Sequence, residues 1–348
     1  MMMYPDFNDR PKLSSSQTID VSIVIPMRNE EENVKAVCSE LVAFMNDRRE
    51  RYEVIIVNDG SEDATGSLLE RYSAEDERFT VIEFARSFGQ AAAMDAGFQT
   101  ARGRVIVPMD GDMQNDPADI PGLVAQLDEG EGSDIVSGWR KDRKDRWLSR
   151  RLPSVIANRL IRKLTWCDQL NDFGCSLKAY RREALEGIRL YGEMHRFLPA
   201  LCKWRGARLS ERVVNHRPRV AGESKYGIIR TFKVLLDLMT VKFLGDYLQK
   251  PMYFFAKLSF IAIAIACGST IFATVQKFGY ATEHGMPVML NDSIFILFAM
   301  MMFLSAVILV LVGILAELMT RIYFESQGRS PYRVRRVLKG SVRGKERE

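Results

Sequence analysis

The residues in this chain best suited to chemistry are Asp110 and Asp112, in the run Val105-Ile106-Val107-Pro108-Met109-Asp110-Gly111-Asp112. A short apolar, β-branched run that stops at Asp-Gly-Asp reads as a buried strand delivering two carboxylates to the edge of a sheet. Open α/β sheets keep their ligands at that edge. Two residues apart in an extended chain, both carboxylates would point the same way, and paired hard oxygen donors suit Mg²⁺ or Mn²⁺. A divalent ion held there would in turn hold a diphosphate. Taken alone, Asp-Gly is more readily a plain turn than a metal site.

A second acid closes a second strand. Glu53 to Val57 runs into Asn58-Asp59-Gly60-Ser61, where an exposed Asp59 would offer its carboxylate to a base N–H. The elements that must position these acids alternate along the chain. Strands are expected at Val21 to Pro26, Glu53 to Val57, Thr80 to Ala85, Val105 to Met109 and Asp134 to Gly138. Helices should open after Met27 with acids in the first turn, run from about Ala91 to Ala101, and begin near Pro117. This spacing predicts an α/β fold with a mainly parallel, doubly wound sheet. No Gly-x-Gly-x-x-Gly is present, which disfavours a dinucleotide-binding dehydrogenase.

The chain has 348 residues, enough for one sizeable domain and something smaller, and its hydrophobicity gathers at the end. Leu258 to Val275 and Ile294 to Ala316 contain no charge and would span roughly 27 and 35 Å as helices, against a hydrocarbon core of about 30 Å. Both are expected to cross a membrane. Nine basic residues from Arg321 onward, against Lys277 alone between the two runs, place both termini in the cytoplasm. Residues 1 to 18 are polar and have no apolar core segment, so no signal peptide is expected. Apolar stripes flanked by Arg, Lys and Trp, at about 147–165 and again at 228–250, read as helices lying in the membrane interface. The net charge of +5 gathers beside these segments, pointing to anionic lipid and away from nucleic acid. Five scattered cysteines, never spaced C-x-x-C, read as core residues in a reducing compartment.

Laid end to end, six stretches resemble the family 2 glycosyltransferases of the GT-A fold, and within them the polyprenyl-phosphate glycosyltransferases. They are the Val21 to Glu30 strand and turn, Asn58-Asp59-Gly60-Ser61, Arg86-Ser87-Phe88-Gly89-Gln90, Asp110-Gly111-Asp112-Met113-Gln114, Asn171-Asp172-Phe173-Gly174-Cys175, and Gly222-Glu223-Ser224-Lys225-Tyr226. The resemblance covers about residues 20 to 325. It implies that Pro26, Arg28, Glu30, Val57 and Asp59 surround the nucleotide base and ribose, with Asp59 accepting the uracil N3–H of a UDP-sugar. It also implies that Asp110, Gly111, Asp112 and Gln114 serve the metal and diphosphate, with Asp110, Asp112 and Gln114 as the ligand set. Arg140 and Lys225 would be phosphate-facing cations, and Asp112 and Asp172 the catalytic candidates. The basic residue after Asp172-Phe173-Gly174 is displaced here to Lys178. A homo-oligomer is expected from the resemblance alone.

The reaction implied is inverting transfer of a sugar from a nucleotide diphosphate to a polyprenyl phosphate at the cytoplasmic membrane face. A phosphate monoester, with a second pKa near ~6, is already largely dianionic at pH 7. A general base is therefore not obligatory, and Asp172 is either that base or a group orienting the acceptor. A processive polysaccharide synthase is set aside, since only two spans are expected and no Gln-x-x-Arg-Trp occurs. The rival from another class is a non-catalytic membrane subunit that binds sugar-lipid or assists a flippase. The expected organisation is a flexible tail at 1–18, a catalytic domain at 19–227, an interfacial helix at 228–250, membrane helices at about 252–276 and 294–320 within 251–323, and a basic tail at 324–348.

Overall fold

The computed structural model describes residues 19–129, 132–141, 161–162, 165, 167–190, 192, 194–218, 242–243, 246–247, 250–284 and 293–326. The N-terminal tail, nearly all of both expected interfacial helices, the Gly222 to Tyr226 stretch with Lys225, and the basic tail lie outside these residues. The chain forms two compact units, Met1–Lys242 and Phe243–Glu348.

Among the described residues of the first unit, seven strands form one sheet: β1 Val21–Met27, β2 Tyr52–Asn58, β3 Phe79–Glu83, β4 Val105–Pro108, β5 Ile135–Trp139, β6 Lys178–Arg181 and β7 Leu209–Val213, in the order β3-β2-β1-β4-β6-β5-β7. The pairs β1–β2, β1–β4, β2–β3 and β5–β7 are parallel, and β6 alone runs antiparallel, between β4 and β5. The five expected strands are present to within two residues at each end, while β6 and β7 were not anticipated. Each is four or five residues long, and β6 carries Lys178 and Arg181, so neither shows the long apolar run by which β1 and β2 announce themselves.

The helices of this unit are α1 Glu31–Asn46, α2 Thr65–Glu75, α3 Gln90–Thr100, α4 Ile120–Asp128, α5 Arg182–Leu185 and α6 Leu198–Trp204. Alternate strand residues feed the two faces. Val24, Ile55, Val57 and Ile106 pack with Ala91, Met94 and Phe98 of α3 and with Phe197 and Leu198. Ile23, Ile25, Val54, Ile56 and Val107 pack with Val34, Val37 and Leu41 of α1, Leu69 of α2 and Leu123 of α4. A parallel sheet covered on both faces demands this continuous β-branched character. Because β4 and β5 run parallel to β1 and β2, the carboxyl ends of all four open on one edge. The segment entering β6 returns to that same edge.

The second unit is a hairpin of α7, Pro251–His284, and α8, Ile294–Ser326. Both outrun the expected spans, because a helix continues past the apolar window as long as its backbone bonds are made; Pro251–Phe278 and Ile294–Thr320 are the stretches long and apolar enough to cross a membrane. Their seam is built from small residues: Ala262, Ala266, Ala273, Ala299 and Ala306 are buried. Ser259 Oγ donates to Ala306 O at 3.0 Å and Ser269 Oγ to Phe295 O at 2.8 Å. Such contacts hold helices together where apolar burial gives no net drive. Phe260, Ile271, Leu304 and Leu311 point outward.

Two glycines separate packing from propensity. A Cβ on Gly97 of α3 would sit 2.2 Å from Val24 Cγ1 on β1, a stiff branched side chain with nowhere to move, whereas a Cβ on Gly268 of α7 meets nothing within 4 Å. Gly97→Ala is expected to destabilise the protein by about 1–3 kcal/mol through overpacking, read as a lower melting temperature. Gly268→Ala should leave melting unchanged or raise it; equal effects at both positions would contradict the close approach of α3 to β1.

Candidate active site

Strand β4 ends at Pro108, so Asp110 and Asp112 do not lie on an extended strand. They sit on a turn whose Met113 takes a left-handed conformation, φ 64°. Asn29, at the mouth of β1, is also left-handed, φ 53°. Non-glycine residues hold that conformation at a cost of about 1–3 kcal/mol, and such strain clusters at functional sites. The turn nonetheless achieves what the extended reading required, because the two carboxylates lie close enough to oppose one another's charge.

The turn is held from several sides. Asn115 Oδ1 accepts from Asp110 N at 3.0 Å and from Ser176 Oγ at 2.9 Å. Gln90 Nε2, at the start of α3, donates to Asp110 Oδ1 at 3.0 Å, and Gln114 N donates to Asp112 Oδ1 at 3.2 Å. The segment after β7 clasps the far side. Arg217 N donates to Gln114 O at 3.0 Å, and the Arg217 guanidinium reaches Asp116 at 2.7 Å and Glu40 of α1 at 2.6 Å. Asn215 N donates to Asp119 Oδ2 at 2.7 Å. Gly111 admits no side chain, since a Cβ there would lie 2.9 Å from Met27 Cγ.

Asp110 is half-buried and Asp112 is 7% exposed. Burial first, and then the charge of Asp112, push the Asp110 carboxyl above the usual carboxylate range; Ser176, Arg140 and Lys178 oppose the shift. Two carboxylates confined together in this way form a donor set that fits a small divalent cation, and Gln114 is half-buried beside them. Among the described residues no group of three His, Cys, Asp or Glu side chains converges. Mg²⁺-type ions commonly take only one or two protein carboxylates and fill the rest of their shell from water and phosphate.

The β1 and β2 ends are stitched together. Asn29 N donates to Ser61 Oγ at 3.0 Å, Glu62 N to Asn29 Oδ1 at 2.9 Å, and Glu30 N to Thr65 Oγ1 at 2.9 Å. Asp59 has an internal task. Its carboxylate accepts from Ser87 Oγ at 2.8 Å, Phe88 N at 2.7 Å and Gly89 N at 3.0 Å, which fixes the 87–89 turn just ahead of α3. Gly60 makes this possible, because with φ 60° it lets the backbone of Arg86 approach to 2.4 Å of where a Cβ would stand. Among the other expected base-side residues, Arg28 is exposed, Pro26 half-buried, and Glu30 accepts from Asn33 Nδ2 at 2.5 Å. The Val57 side chain lies in the core, fully buried.

Arg140, one residue past β5, meets Asp172. Its Nε donates to Oδ2 at 2.8 Å and its Nη2 to Oδ1 at 3.1 Å. Lys178, first residue of β6, is buried, and its Nζ donates to Cys175 O and, at 3.4 Å, to Phe173 O. Burial pushes the Lys178 ammonium below its ordinary value, against the pull of Cys175, Asp172 and Asp110. The edge thus gathers Asp110, Asp112, Gln114, Arg140 and Asp172. Gln90, Asn115, Ser176 and Glu211 are supporting residues that sequence reasoning did not single out. For Gln90 the signal was its place inside the quoted Arg86 to Gln90 stretch and for Asn115 its place directly after the acid motif, whereas Glu211, on a short strand far along the chain, carried none.

The raised Asp110 carboxyl has a thermodynamic sign. A carboxyl whose folded pKa exceeds its unfolded value contributes stability only at low pH, and that contribution is lost as pH rises through the folded pKa, so ionised Asp110 costs stability at neutral pH. In chelator-treated protein at pH 7.5, Asp110→Asn should therefore raise the melting temperature relative to wild type. The difference should vanish as pH falls to where Asp110 is protonated. A lower melting temperature at pH 7.5 would mean that no repulsion is stored there.

Residues 22–189 match Glycosyl transferase family 2. The chain is 41% identical to the dodecaprenyl-phosphate galacturonate synthase of Rhizobium johnstonii over 92% of its own length and 94% of the relative. It is 33% identical to the undecaprenyl-phosphate 4-deoxy-4-formamido-L-arabinose transferase of Shewanella sediminis, over 95% and 96%. In structure it resembles glucosyl-3-phosphoglycerate synthase from Mycobacterium tuberculosis, solved with Mn²⁺, UDP and glucosyl-3-phosphoglycerate, at TM-score 0.52 and 17% identity over 68% of this chain and 85% of that one. A similar match is mannosyl-3-phosphoglycerate synthase from Rubrobacter xylanophilus, at TM-score 0.54 and 15% identity over 66% and 75%. These likenesses show the fold. With the acid pair at the sheet edge and a transferase relative matched nearly end to end, the chain belongs to glycosyl transferase family 2, among its polyprenyl-phosphate sugar transferases.

Proposed function

We propose that the protein moves a sugar from a nucleotide diphosphate sugar, a UDP-sugar by the resemblance, to the phosphate of a polyprenol at the cytoplasmic face of a bacterial inner membrane. The observation that carries this reading is the Asp110 and Asp112 pair, whose mutual repulsion in a half-buried turn calls for a cation. Asp110 and Asp112, with Gln114 beside them, would hold Mg²⁺ or Mn²⁺, which when bound neutralises charge on the departing nucleotide diphosphate. The remaining work falls to the chain's own groups. An oxygen of the acceptor phosphate attacks the anomeric carbon from the face opposite the diphosphate. The new C–O bond forms as the C–O bond to the donor breaks, and its electron pair leaves with the diphosphate. Arg140, 15% exposed and electrostatically coupled to Asp110, is the described cation suited to an anionic reactant at this edge.

The reading is supported by relatives whose names are polyprenyl-phosphate sugar transferases and which match along nearly the whole chain, hairpin included. The hairpin suits an acceptor whose tail stays in the bilayer while its phosphate meets a water-soluble donor. A non-catalytic sugar-lipid subunit would have no use for the acid pair.

The test is nucleotide release by the detergent-purified full chain given polyprenyl phosphate, Mn²⁺ or Mg²⁺, and a panel of UDP- and GDP-sugars. One UDP-sugar should support turnover that requires the lipid and disappears with chelator. Asp112→Asn should lower kcat about 10²-fold or more, by analogy with removing one preorganised electrostatic group. Lipid-independent release, or full activity of Asp112→Asn, would defeat the proposal.

A further inference from the structure

We propose that Asp172 acts as a positioning residue and not as a general base: seated by Glu211 of β7, it aims the Arg140 guanidinium at the phosphate of an anionic reactant. This rests on the glycosyl-transfer reading above, and four observations carry it.

The first is occupancy. A carboxylate offers about four lone-pair directions. Oδ2 of Asp172 takes Arg140 Nε at 2.8 Å and Arg140 N at 3.4 Å, and Oδ1 takes Arg140 Nη2 at 3.1 Å and Gly174 N at 3.1 Å. A base must present a lone pair to an incoming proton, and here Arg140 would first have to leave. The second is burial: Asp172 is 3% exposed, so the pair is drawn out of water and fixed in a two-pronged geometry.

The third is the seat of Asp172 itself. Glu211 accepts from Asn171 N at 2.7 Å, Asn171 Nδ2 at 2.7 Å and Asp172 N at 3.1 Å. From the other side, the Lys178 ammonium donates to the carbonyls of Phe173 and Cys175. The turn 172–175 is therefore gripped by a carboxylate and an ammonium that do not themselves meet. Glu211 lies on β7, in register with Ser137 of β5, and β5 ends immediately before Arg140. One strand pair thus supplies both the cation and the seat of its partner.

The fourth is the chemistry. The acceptor phosphate is already largely dianionic at pH 7 and has no proton to surrender in forming the new bond. What lowers its barrier is a guanidinium whose side-chain freedom has been given up in advance. A bidentate carboxylate does that.

The experiment is a double-mutant cycle on the full chain in detergent, reading kcat and the acceptor KM from nucleotide release with polyprenyl phosphate varied. Arg140→Lys, which keeps the charge and loses the fork, should lower kcat/KM about 10–100-fold, the effect of losing one charge-assisted bond. Asp172→Asn should act in the same direction, mainly on the acceptor KM. Asp172→Asn added to Arg140→Lys should cost little more, because interaction through a shared partner is non-additive. Glu211→Ala, away from the reactants, should raise the acceptor KM with kcat nearly unchanged, and it carries the test if Asp172→Asn does not fold. A drop in kcat of about 10²–10⁴ for Asp172→Asn at unchanged KM, multiplying in the Arg140→Lys background, is the behaviour of an independent base and would overturn the inference. An unchanged acceptor KM in Glu211→Ala would overturn it as well. Absence of turnover in wild type with every donor defeats the transfer reading itself, and this inference falls with it.

Discussion

Two like charges must be kept side by side where water is scarce, and the rest of the catalytic unit follows from that constraint. Ionised Asp110 and Asp112 repel, and burial removes the solvent that would screen them. Left to itself, such a pair would splay apart. It is restrained by hydrogen bonds, the Asp110 amide on Asn115, Gln90 on the Asp110 carboxylate and the Asn215 to Arg217 clasp, and by a left-handed Met113 that itself costs about 1–3 kcal/mol. The sheet core supplies the stability against which that strain is held, with β1, β2 and β4 buried almost throughout.

Around the acid pair, charges of both signs are plentiful, and pairing decides what each can do. Arg217 is committed to Asp116 and Glu40, and Lys178 to backbone carbonyls inside the Asp172 turn. Arg140 is engaged too, yet its partner orients it and leaves it at the open edge of the sheet. Asp59 shows the same economy among the acids, since its oxygens hold the 87–89 turn and so tie the β2 end to the segment that leads into α3 and Gln90. Coulomb's law alone would not rank these groups; their hydrogen-bond partners do. In the hairpin, where charge is nearly absent, small residues and two serine hydroxyls take over the task of fixing geometry.

Much of this architecture was legible along the chain. Short runs dominated by β-branched and aliphatic residues and closed by turn signals read as buried parallel strands, and β1 and β2 declared themselves so. The acid motif was legible only in company, because Asp-Gly alone reads as a turn and the other motif stretches in order lifted the reading. The failures have physical causes. The extended reading of Asp110 to Asp112 overlooked that Pro108 ends the strand, after which a turn does the work assigned to alternation. Short strands β6 and β7 have no apolar period of their own; β6 satisfies backbone between β4 and β5, and β7 pairs along the outer side of β5.

Local sequence determined, by itself, the alternation of strands and helices, the acids at strand ends and the two apolar helices, since each depends on periodicity, turn chemistry or length within a few residues. Tertiary structure decided which charges meet. Arg140 and Asp172 are 32 residues apart, and Glu211 lies 39 beyond Asp172. No local pattern could join them, because the contact is created by β7 pairing with β5 and by β6 turning back against its neighbours.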